Sequence, residues 1–187
     1  METGLPANIL MNVKVINKKN ILTSRYFSIE KVILEQDGRQ FTKDLMKRND
    51  VVLILPVTSN NELYLVSQYR VAWDKVLLEV VAGNIEDGQS PLDAAKAELE
   101  EETGLQAKQW ERLGTFYLSA NITGLIHIFI AQDLEQGKAH PDTDEKIETI
   151  KMPMTEVMTK IADGEIRTVS NITAILLFEK RRKEGRI

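Results

Sequence analysis

Three glutamates near the end of one predicted helix have the types and spacing that could bind a metal ion. Glu98, Glu101 and Glu102 stand at i, i+3 and i+4, so a helix presents them on one face. The carboxylates repel one another and also meet the negative end of the helix dipole. A hard divalent cation such as Mg²⁺ removes this conflict, because it prefers carboxylate oxygens. A solvated acidic surface is the alternative interpretation of the same residues.

The sequence around these glutamates predicts where the helix begins and ends. Ser90 can act as the N-cap, and Pro91 stands at the first helical position. Asp93 completes a capping-box spacing with Ser90. Gly104 can adopt the left-handed conformation that ends a helix. Three apolar residues on one stripe would face the core, namely Leu92, Ala95 and Leu99.

A loop with two glycines is predicted between an apolar run and this helix. Gly83 and Gly88 allow backbone conformations and close approaches that side chains would prevent. Such a loop can direct a carbonyl oxygen, for example that of Ala82, at the ion that the glutamates bind. The loop and the helix together are therefore predicted to form one metal site.

The stretch from Gly83 to Leu105 resembles the Nudix box, G-x5-E-x7-R-E-U-x-E-E-x-G-U, in which U is a bulky aliphatic residue. Seven specified positions match, namely Gly83, Glu98, Leu99, Glu101, Glu102, Gly104 and Leu105. Two positions differ, because Gln89 stands where the box has Glu and Ala97 stands where it has Arg. In the family that arginine orients the glutamates, so its loss would leave them less neutralised and less rigidly aimed.

Residues outside the box look like the ADP-ribose pyrophosphatase branch of this family. They are the Gln68-Tyr69-Arg70 segment, Glu79 and the N-terminal strands, and the resemblance spans residues 20–180. It implies an α/β fold, an α/β/α sandwich with a mixed sheet. Residues 1–48 would form a β extension that helps build a homodimer, and residues 49–187 the Nudix domain. Ala120 departs from the branch, which usually has proline there.

The resemblance also assigns roles to individual residues. Glu98, Glu101, Glu102 and the Ala82 carbonyl would hold Mg²⁺, with Mn²⁺ as an alternative. Arg70 would contact the diphosphate, for which its planar guanidinium is suited.

Three further positions have assigned or candidate roles. Glu79 would help fix the substrate. A late acidic loop would place Glu145 near the attacking water, with Asp144 and Glu148 as alternatives. Trp73 could stack on a base or ribose, or be buried or at an interface.

The activity implied is divalent-metal-dependent hydrolysis of ADP-ribose or a related nucleoside-diphosphate sugar. The products would be a nucleoside monophosphate and a sugar phosphate. A different class of function is a Nudix-fold module that binds a nucleotide or sugar phosphate and barely turns it over. The changes at Gln89 and Ala97 motivate this second hypothesis.

Composition restricts the partners. The 187-residue chain is 43% hydrophobic with a net charge of −4, so it provides no broad cationic surface for nucleic acid. It has no apolar run of membrane-spanning length and no basic-then-apolar N-terminal signal, and no membrane association is expected. The lack of cysteine excludes disulfides and thiolate metal sites and fits a cytoplasmic location.

Periodicity and turn signals predict the remaining elements. The expected strands are 13–15, 25–34, 40–45, 51–57, 62–69, 76–81, 110–118, 125–131 and 147–152. Residues 132–145 are polar and are predicted to be a loop. Two closing helices are expected at 154–162 and 172–182, with Ser170 or Asn171 as the cap of the second.

Overall fold

The computed structural model describes residues 12–139 and 146–187. The chain separates into two compact units. The first comprises the chain up to Asn49 together with Tyr117–Gly124, and the second comprises Asp50–Phe116 and Leu125–Ile187. The sequence had placed residues 117–124 in the larger domain, whereas here they belong with the N-terminal strands. Residues 117–124 are distant in sequence but belong to this unit, because the short strand within them pairs with one of the N-terminal strands.

The first unit is a four-stranded sheet in the order β1-β2-β3-β9. Its strands are β1 (Lys14–Thr23), β2 (Phe27–Gln36), β3 (Arg39–Arg48) and β9 (Ile122–Thr123). The first three pair antiparallel, and β9 joins β3 in parallel. Asp37 and Gly38, at φ 51° and 74°, form the predicted turn between β2 and β3. All ten residues of the edge strand β1 are exposed.

The second unit contains two sheets, in the orders β7-β4-β10-β8 and β11-β5-β6. In chain order their strands are β4 (Val51–Pro56), β5 (Glu62–Arg70), β6 (Lys75–Glu79), β7 (Val81–Asn84), β8 (Leu105–Tyr117), β10 (Leu125–Gln136) and β11 (Ile147–Pro153). β4 pairs parallel with β10 and antiparallel with β7. The predicted mixed sheet is therefore confirmed.

Three helices pack on these sheets, α1 (Pro91–Thr103), α2 (Met154–Ala162) and α3 (Val169–Lys183). The apolar stripe of α1, with Ala95 and Leu99, shares one core with Val52 and Ile54 of β4 and Val66 of β5. α1 thus contacts both sheets. α3 also packs against β4. Because side chains alternate along a strand, every second side chain of β4 points away from α1. This arrangement confirms the predicted α/β class.

Several element predictions need correction. The apolar run predicted as one strand at 76–81 is two strands in different sheets, β6 and β7. The first strand is far longer than predicted, and β10 continues into the stretch predicted as loop. The cap of α3 is Thr168, while Asn171 lies inside the helix and is buried. Within residues 12–139 and 146–187, no helix combines the length and apolar character needed to cross a lipid bilayer.

Candidate active site

The helix that bears the three glutamates has the ends that the sequence predicted. The Ser90 hydroxyl accepts a hydrogen bond from the Asp93 backbone N–H at 3.2 Å and donates to the Asp93 carboxylate at 2.6 Å. At the other end Gly104 adopts φ 70° and donates its N–H to the Glu100 carbonyl at 2.8 Å. No basic residue stands in the last turn of α1. The acidic residues at the end of α1 therefore stand at the negative end of the helix dipole, which disfavours negative charge.

The backbone at Gly83 and the side chain of Glu98 lie in direct contact. A Cβ added to Gly83 would lie 1.8 Å from Oε1 and 1.9 Å from Cδ of Glu98. Gly83 belongs to β7, whose pairing with β4 fixes the position of its backbone. The missing side chain of Gly83 thus makes the space that the Glu98 carboxylate fills. The structure thus brings the Glu98 side chain against Gly83, which lies on strand β7 and not in the predicted loop.

The three glutamates differ in exposure. Glu101 is exposed and Glu98 is half-buried, whereas Glu102 is only 7% exposed. Their carboxylate oxygens are the donors that a hard divalent cation prefers, and Glu98 lies against the backbone at Gly83. Among the described residues, however, no three acidic or histidine side chains converge into a ready-made metal cluster. The complete ligand set therefore stays a prediction.

The chain leading to the predicted acidic loop runs past the C-terminus of α1. The Gly137 N–H donates to the Gly104 carbonyl at 2.7 Å, and a Cβ on Gly104 would lie 2.6 Å from the Ala139 nitrogen. Glu145 and its alternative Asp144 lie outside the described residues. The chain nevertheless enters that stretch beside the helix end that bears Glu101 and Glu102.

Glu148, the other alternative, lies on β11 opposite Ser67. The neighbouring pair, Thr149 and Val66, is on the face that packs with α1. Since side chains alternate along a strand, Glu148 is directed away from α1. This placement favours Asp144 and Glu145 over Glu148.

Arg70 and Glu79, the predicted substrate residues, bind each other. Arg70 Nε donates to Glu79 Oε2 at 2.6 Å, and the Thr168 hydroxyl donates to Glu79 Oε1 at 2.8 Å. The Glu79 side chain is 8% exposed and that of Arg70 is 38% exposed. Both carboxylate oxygens are therefore engaged, while the outer nitrogens of Arg70 remain reachable from solvent.

Thr168 is a site residue that the sequence did not indicate. It stands at the N-cap of α3, but its side chain makes no capping hydrogen bond because its hydroxyl is directed to Glu79. Its partner is 89 residues away in sequence. The role of Thr168 is visible only in the folded chain, where the segment between α2 and α3 contacts β6.

Replacing Thr168 by Val is expected to raise KM about tenfold with little change in kcat. The hydrogen bond to a buried carboxylate is lost, and Arg70 is held less firmly. Thr168→Ser should restore KM, because serine keeps the donor. Steady-state kinetics and calorimetric binding of a non-hydrolysable substrate analogue would measure this effect. Thr173→Val, on the exposed side of the same helix, is the matched control. An unchanged KM, or a serine variant as impaired as the valine variant, would refute the role.

Trp73 is at the tip of the β5–β6 hairpin and is 69% exposed. Its backbone N–H donates to the Arg70 carbonyl at 3.0 Å, so the tip is adjacent to the arginine. The Tyr69 hydroxyl also braces the hairpin by donating to Asp74 at 2.8 Å, and this hydrogen bond raises the pKa of Tyr69. Among the described residues nothing buries Trp73, while stacking on a ligand and an interface role both stay open.

The two altered box positions have distinct environments. Gln89 closes a turn, since its Oε1 accepts from the Glu86 N–H at 3.1 Å and its own N–H donates to the Glu86 carbonyl at 3.0 Å. A glutamate could make the same turn through a carboxylate oxygen. Ala97 is half-buried on α1 directly before Glu98. It provides no cation to offset the three carboxylates.

The chain is similar to known proteins over most of its length. A family model described as NUDIX domain matches residues 46–171. The Methanol dehydrogenase activator of Bacillus methanolicus is 29% identical over 171 residues, which cover 87% of this chain and 92% of that protein. The ADP-ribose pyrophosphatase of Bacillus subtilis (strain 168) is 28% identical over 167 residues, covering 87% and 90%.

The chain is also similar to a GDP-mannose pyrophosphatase and to a solved hydrolase structure. The GDP-mannose pyrophosphatase of Yersinia enterocolitica serotype O:8 is 30% identical over 174 residues, which cover 84% of this chain and 91% of that protein. A solved structure described as the crystal structure of ADP compounds hydrolase matches with a TM-score of 0.82 and 26% identity. That match covers 94% of this chain and 97% of the other. The similarity therefore extends over nearly the whole chain in both sequence and fold.

Proposed function

The chain belongs to the Nudix family, in the ADP-ribose pyrophosphatase-like branch of its hydrolases, and we propose that it hydrolyses ADP-ribose or a related nucleoside-diphosphate sugar with a divalent metal ion. Water attacks one phosphorus, the bridging P–O bond breaks, and a nucleoside monophosphate and a sugar phosphate leave. The observation that carries this proposal is the contact of the Glu98 carboxylate with the Gly83 backbone. It joins the glycine segment to the helix that bears Glu101 and Glu102.

The proposed metal ligands are Glu98, Glu101, Glu102 and the Ala82 carbonyl oxygen. Mg²⁺ is the proposed ion, with Mn²⁺ as the alternative, because both prefer oxygen donors. When bound, the cation supplies neutralisation of the diphosphate charge and activation of water. The protein supplies carboxylates that hold it at the end of α1. Glu145 is proposed to act near the attacking water.

Arg70 is proposed to bind the diphosphate, and Glu79 to act through it. With Nε held at 2.6 Å by Glu79, the guanidinium presents its outer N–H groups in a fixed plane. Such a fork matches two phosphate oxygens and reduces the entropy lost on binding. Trp73, exposed beside this arginine, is proposed to stack on the base or ribose.

A substrate screen tests the proposal. Purified protein is assayed with Mg²⁺ and separately with Mn²⁺ against ADP-ribose, GDP-mannose, other nucleoside-diphosphate sugars, NADH and diadenosine polyphosphates, and a coupled phosphatase detects the monoester products. Metal-dependent turnover of ADP-ribose or another diphosphate sugar is expected. The preferred compound identifies the base and the sugar. No turnover by folded protein that binds one of these compounds would contradict hydrolysis as the function.

The second candidate function is a regulatory module that binds a nucleotide or sugar phosphate and hydrolyses it weakly. Ala97 favours this candidate, because it stands where the family box has the arginine that orients the glutamates, and the last turn of α1 holds no basic residue. One relative is itself named an activator.

The double variant Gln89→Glu/Ala97→Arg separates the two functions. If the natural site is attenuated, the variant should gain at least about tenfold in kcat, because the restored arginine orients the carboxylates. Single-turnover kinetics with ADP-ribose would measure the gain. Lys96→Arg, an exposed change next to Ala97 in sequence, controls for a general effect of a guanidinium on α1. Equal rates in the natural and double-variant proteins would contradict attenuation by these two residues.

We also propose that the protein is a homodimer formed through the first unit. The edge strand β1 exposes Val15, Ile16, Ile21 and Leu22, each by about half of its surface. An open edge strand with apolar side chains is a surface that a second chain can cover.

Light scattering coupled to size exclusion should give a dimer mass for the natural protein and a monomer mass for Ile16→Lys/Ile21→Lys. Introduced charges at a buried apolar contact would be costly to desolvate. Val169→Lys changes an exposed apolar residue on α3, outside the proposed interface, and should leave the dimer intact. A monomeric natural protein, or a dimeric double variant, would contradict the proposed interface.

A further inference from the structure

A cavity of about 600 Å³ opens in the second unit beside the edge strand β6. It lies between β6, β11, α2 and the segment that follows α2. Its volume is in the range of small-molecule sites. None of the residues predicted to act in hydrolysis lines it.

The cavity and the α1 site use different faces of the β5–β6 pair. Ser67 lines the cavity together with its cross-strand partner Leu78. The next pair, Val66 and Glu79, points to the opposite face, where Val66 packs with α1. The cavity wall at Leu78 therefore lies on the face opposite Val66 and Glu79, whereas Lys75 pairs with Arg70 beside the hairpin tip.

One wall of the cavity is apolar. Val76 and Leu78 of β6 and Ile150 and Met152 of β11 contribute aliphatic or thioether side chains. Val76 is 65% exposed and Met152 is 5% exposed, so water contacts this wall mainly at Val76. An apolar group placed against this wall would release that water favourably.

Cations exceed carboxylates among the lining residues. Lys75, Lys160 and Arg167 are basic, and the acidic residues are Glu156 and Glu165. Lys160 is neutralised by Glu165 at 2.9 Å. In the part of the chain that the structure describes, no carboxylate lies within 4.0 Å of Lys75 or Arg167. Arg167 Nε donates to the Gly164 carbonyl, which leaves the outer guanidinium nitrogens available.

We propose that this cavity is a second ligand site, which binds a small monoanion with an apolar body. The apolar wall takes the body, and Lys75 and Arg167 take the anionic group. A single negative charge matches the single excess cation of the lining. This site is independent of the proposed hydrolysis, and its occupancy can be measured without turnover.

The test is a titration of the full-length protein carrying ¹³C-labelled Ile and Met methyl groups. The probe is 1-anilinonaphthalene-8-sulfonate, which joins one sulfonate to an apolar body. Inorganic phosphate is the anion-only probe, and N-phenyl-1-naphthylamine is the apolar-only probe. The methyl signals of Ile150 and Met152 report binding in the cavity itself, so binding elsewhere on the chain is not mistaken for it.

The sulfonate probe should shift the Ile150 and Met152 signals saturably, and each partial probe should bind at least about tenfold more weakly. Lys75→Gln/Arg167→Gln should weaken the sulfonate probe about tenfold, because charge-assisted hydrogen bonds are lost. Lys180→Gln/Arg186→Gln makes the same charge change at two exposed positions and should leave binding unchanged. Unmoved Ile150 and Met152 signals would overturn the site. Equal affinity in the Lys75/Arg167 variant, or for either partial probe, would overturn the assigned ligand class.

Discussion

Glu102→Gln is expected to lower kcat by about 10²- to 10³-fold while the protein remains folded. The amide keeps the shape of the side chain but removes one negative charge and one strong cation ligand. Glu102 is 7% exposed, so water cannot replace the lost carboxylate as it could at an open surface. Steady-state kinetics over a range of Mg²⁺ concentrations would measure the loss, and excess metal should not restore the rate.

The response of stability to metal should report the same lost ligand. Adding Mg²⁺ should raise the unfolding temperature of the natural protein more than that of the variant, since a ligand stabilises the state that binds it.

Glu100→Gln is the matched control. Glu100 is on the same helix, is exposed, and accepts a hydrogen bond from Gln106 at 2.8 Å. The same chemical change there should leave kcat and the Mg²⁺ response intact. If Glu102→Gln retained the natural rate, or if Glu100→Gln lost as much, the glutamate face would not be the metal site.

Local signals in the sequence predicted α1 well. Its N-cap at Ser90 and its end at Gly104 depend on side chains within four residues of each terminus, and the structure confirms both. The cap of α3 was predicted at Ser170 or Asn171 and is Thr168. Asn171 is 2% exposed inside the helix, and local capping preference cannot register the burial of a side chain.

The sequence did not predict the contacts between segments that are distant along the chain. The apolar run at 76–81 gave no indication that β6 and β7 join different sheets, because both sheets bury apolar residues. The hydrogen bond from Thr168 to Glu79 likewise arises only when α3 is in place. For Gly83 the sequence predicted one part of what the structure shows. The sequence indicated close approach at that glycine, and the structure identifies the approaching group as the Glu98 carboxylate.

Gly83→Ala is expected to lower kcat by about 10²-fold at a small cost in stability. The new Cβ would lie 1.8 Å from Oε1 and 2.5 Å from Cγ of Glu98, and both distances are far below van der Waals contact. The clashing atoms all belong to the Glu98 side chain, so this side chain has to rotate away for the alanine to fit. The carboxylate would then leave the position beside the Ala82–Gly83 backbone.

Backbone strain does not contribute to this effect, because Gly83 is not among the glycines with positive φ. Alanine at a compatible backbone position stabilises by about 0.4–1 kcal/mol through the unfolded state. That gain offsets much of the cost of moving the side chain. The unfolding temperature should therefore change little while the rate falls.

Two further variants isolate the cause of the lost rate. Gly164 has φ 72° and open space around its Cβ position, so an alanine there would be strained in its backbone but would meet no neighbour. Gly164→Ala should therefore destabilise the fold by about 1 kcal/mol and keep the natural kcat. Glu98→Ala removes the clashing group. Adding Gly83→Ala to it should cost no further activity and should raise the unfolding temperature, since only the entropic gain remains. If Gly83→Ala lowered kcat equally with and without Glu98, the loss would arise from the backbone, and the contact between Gly83 and Glu98 would not be what positions the glutamate for catalysis.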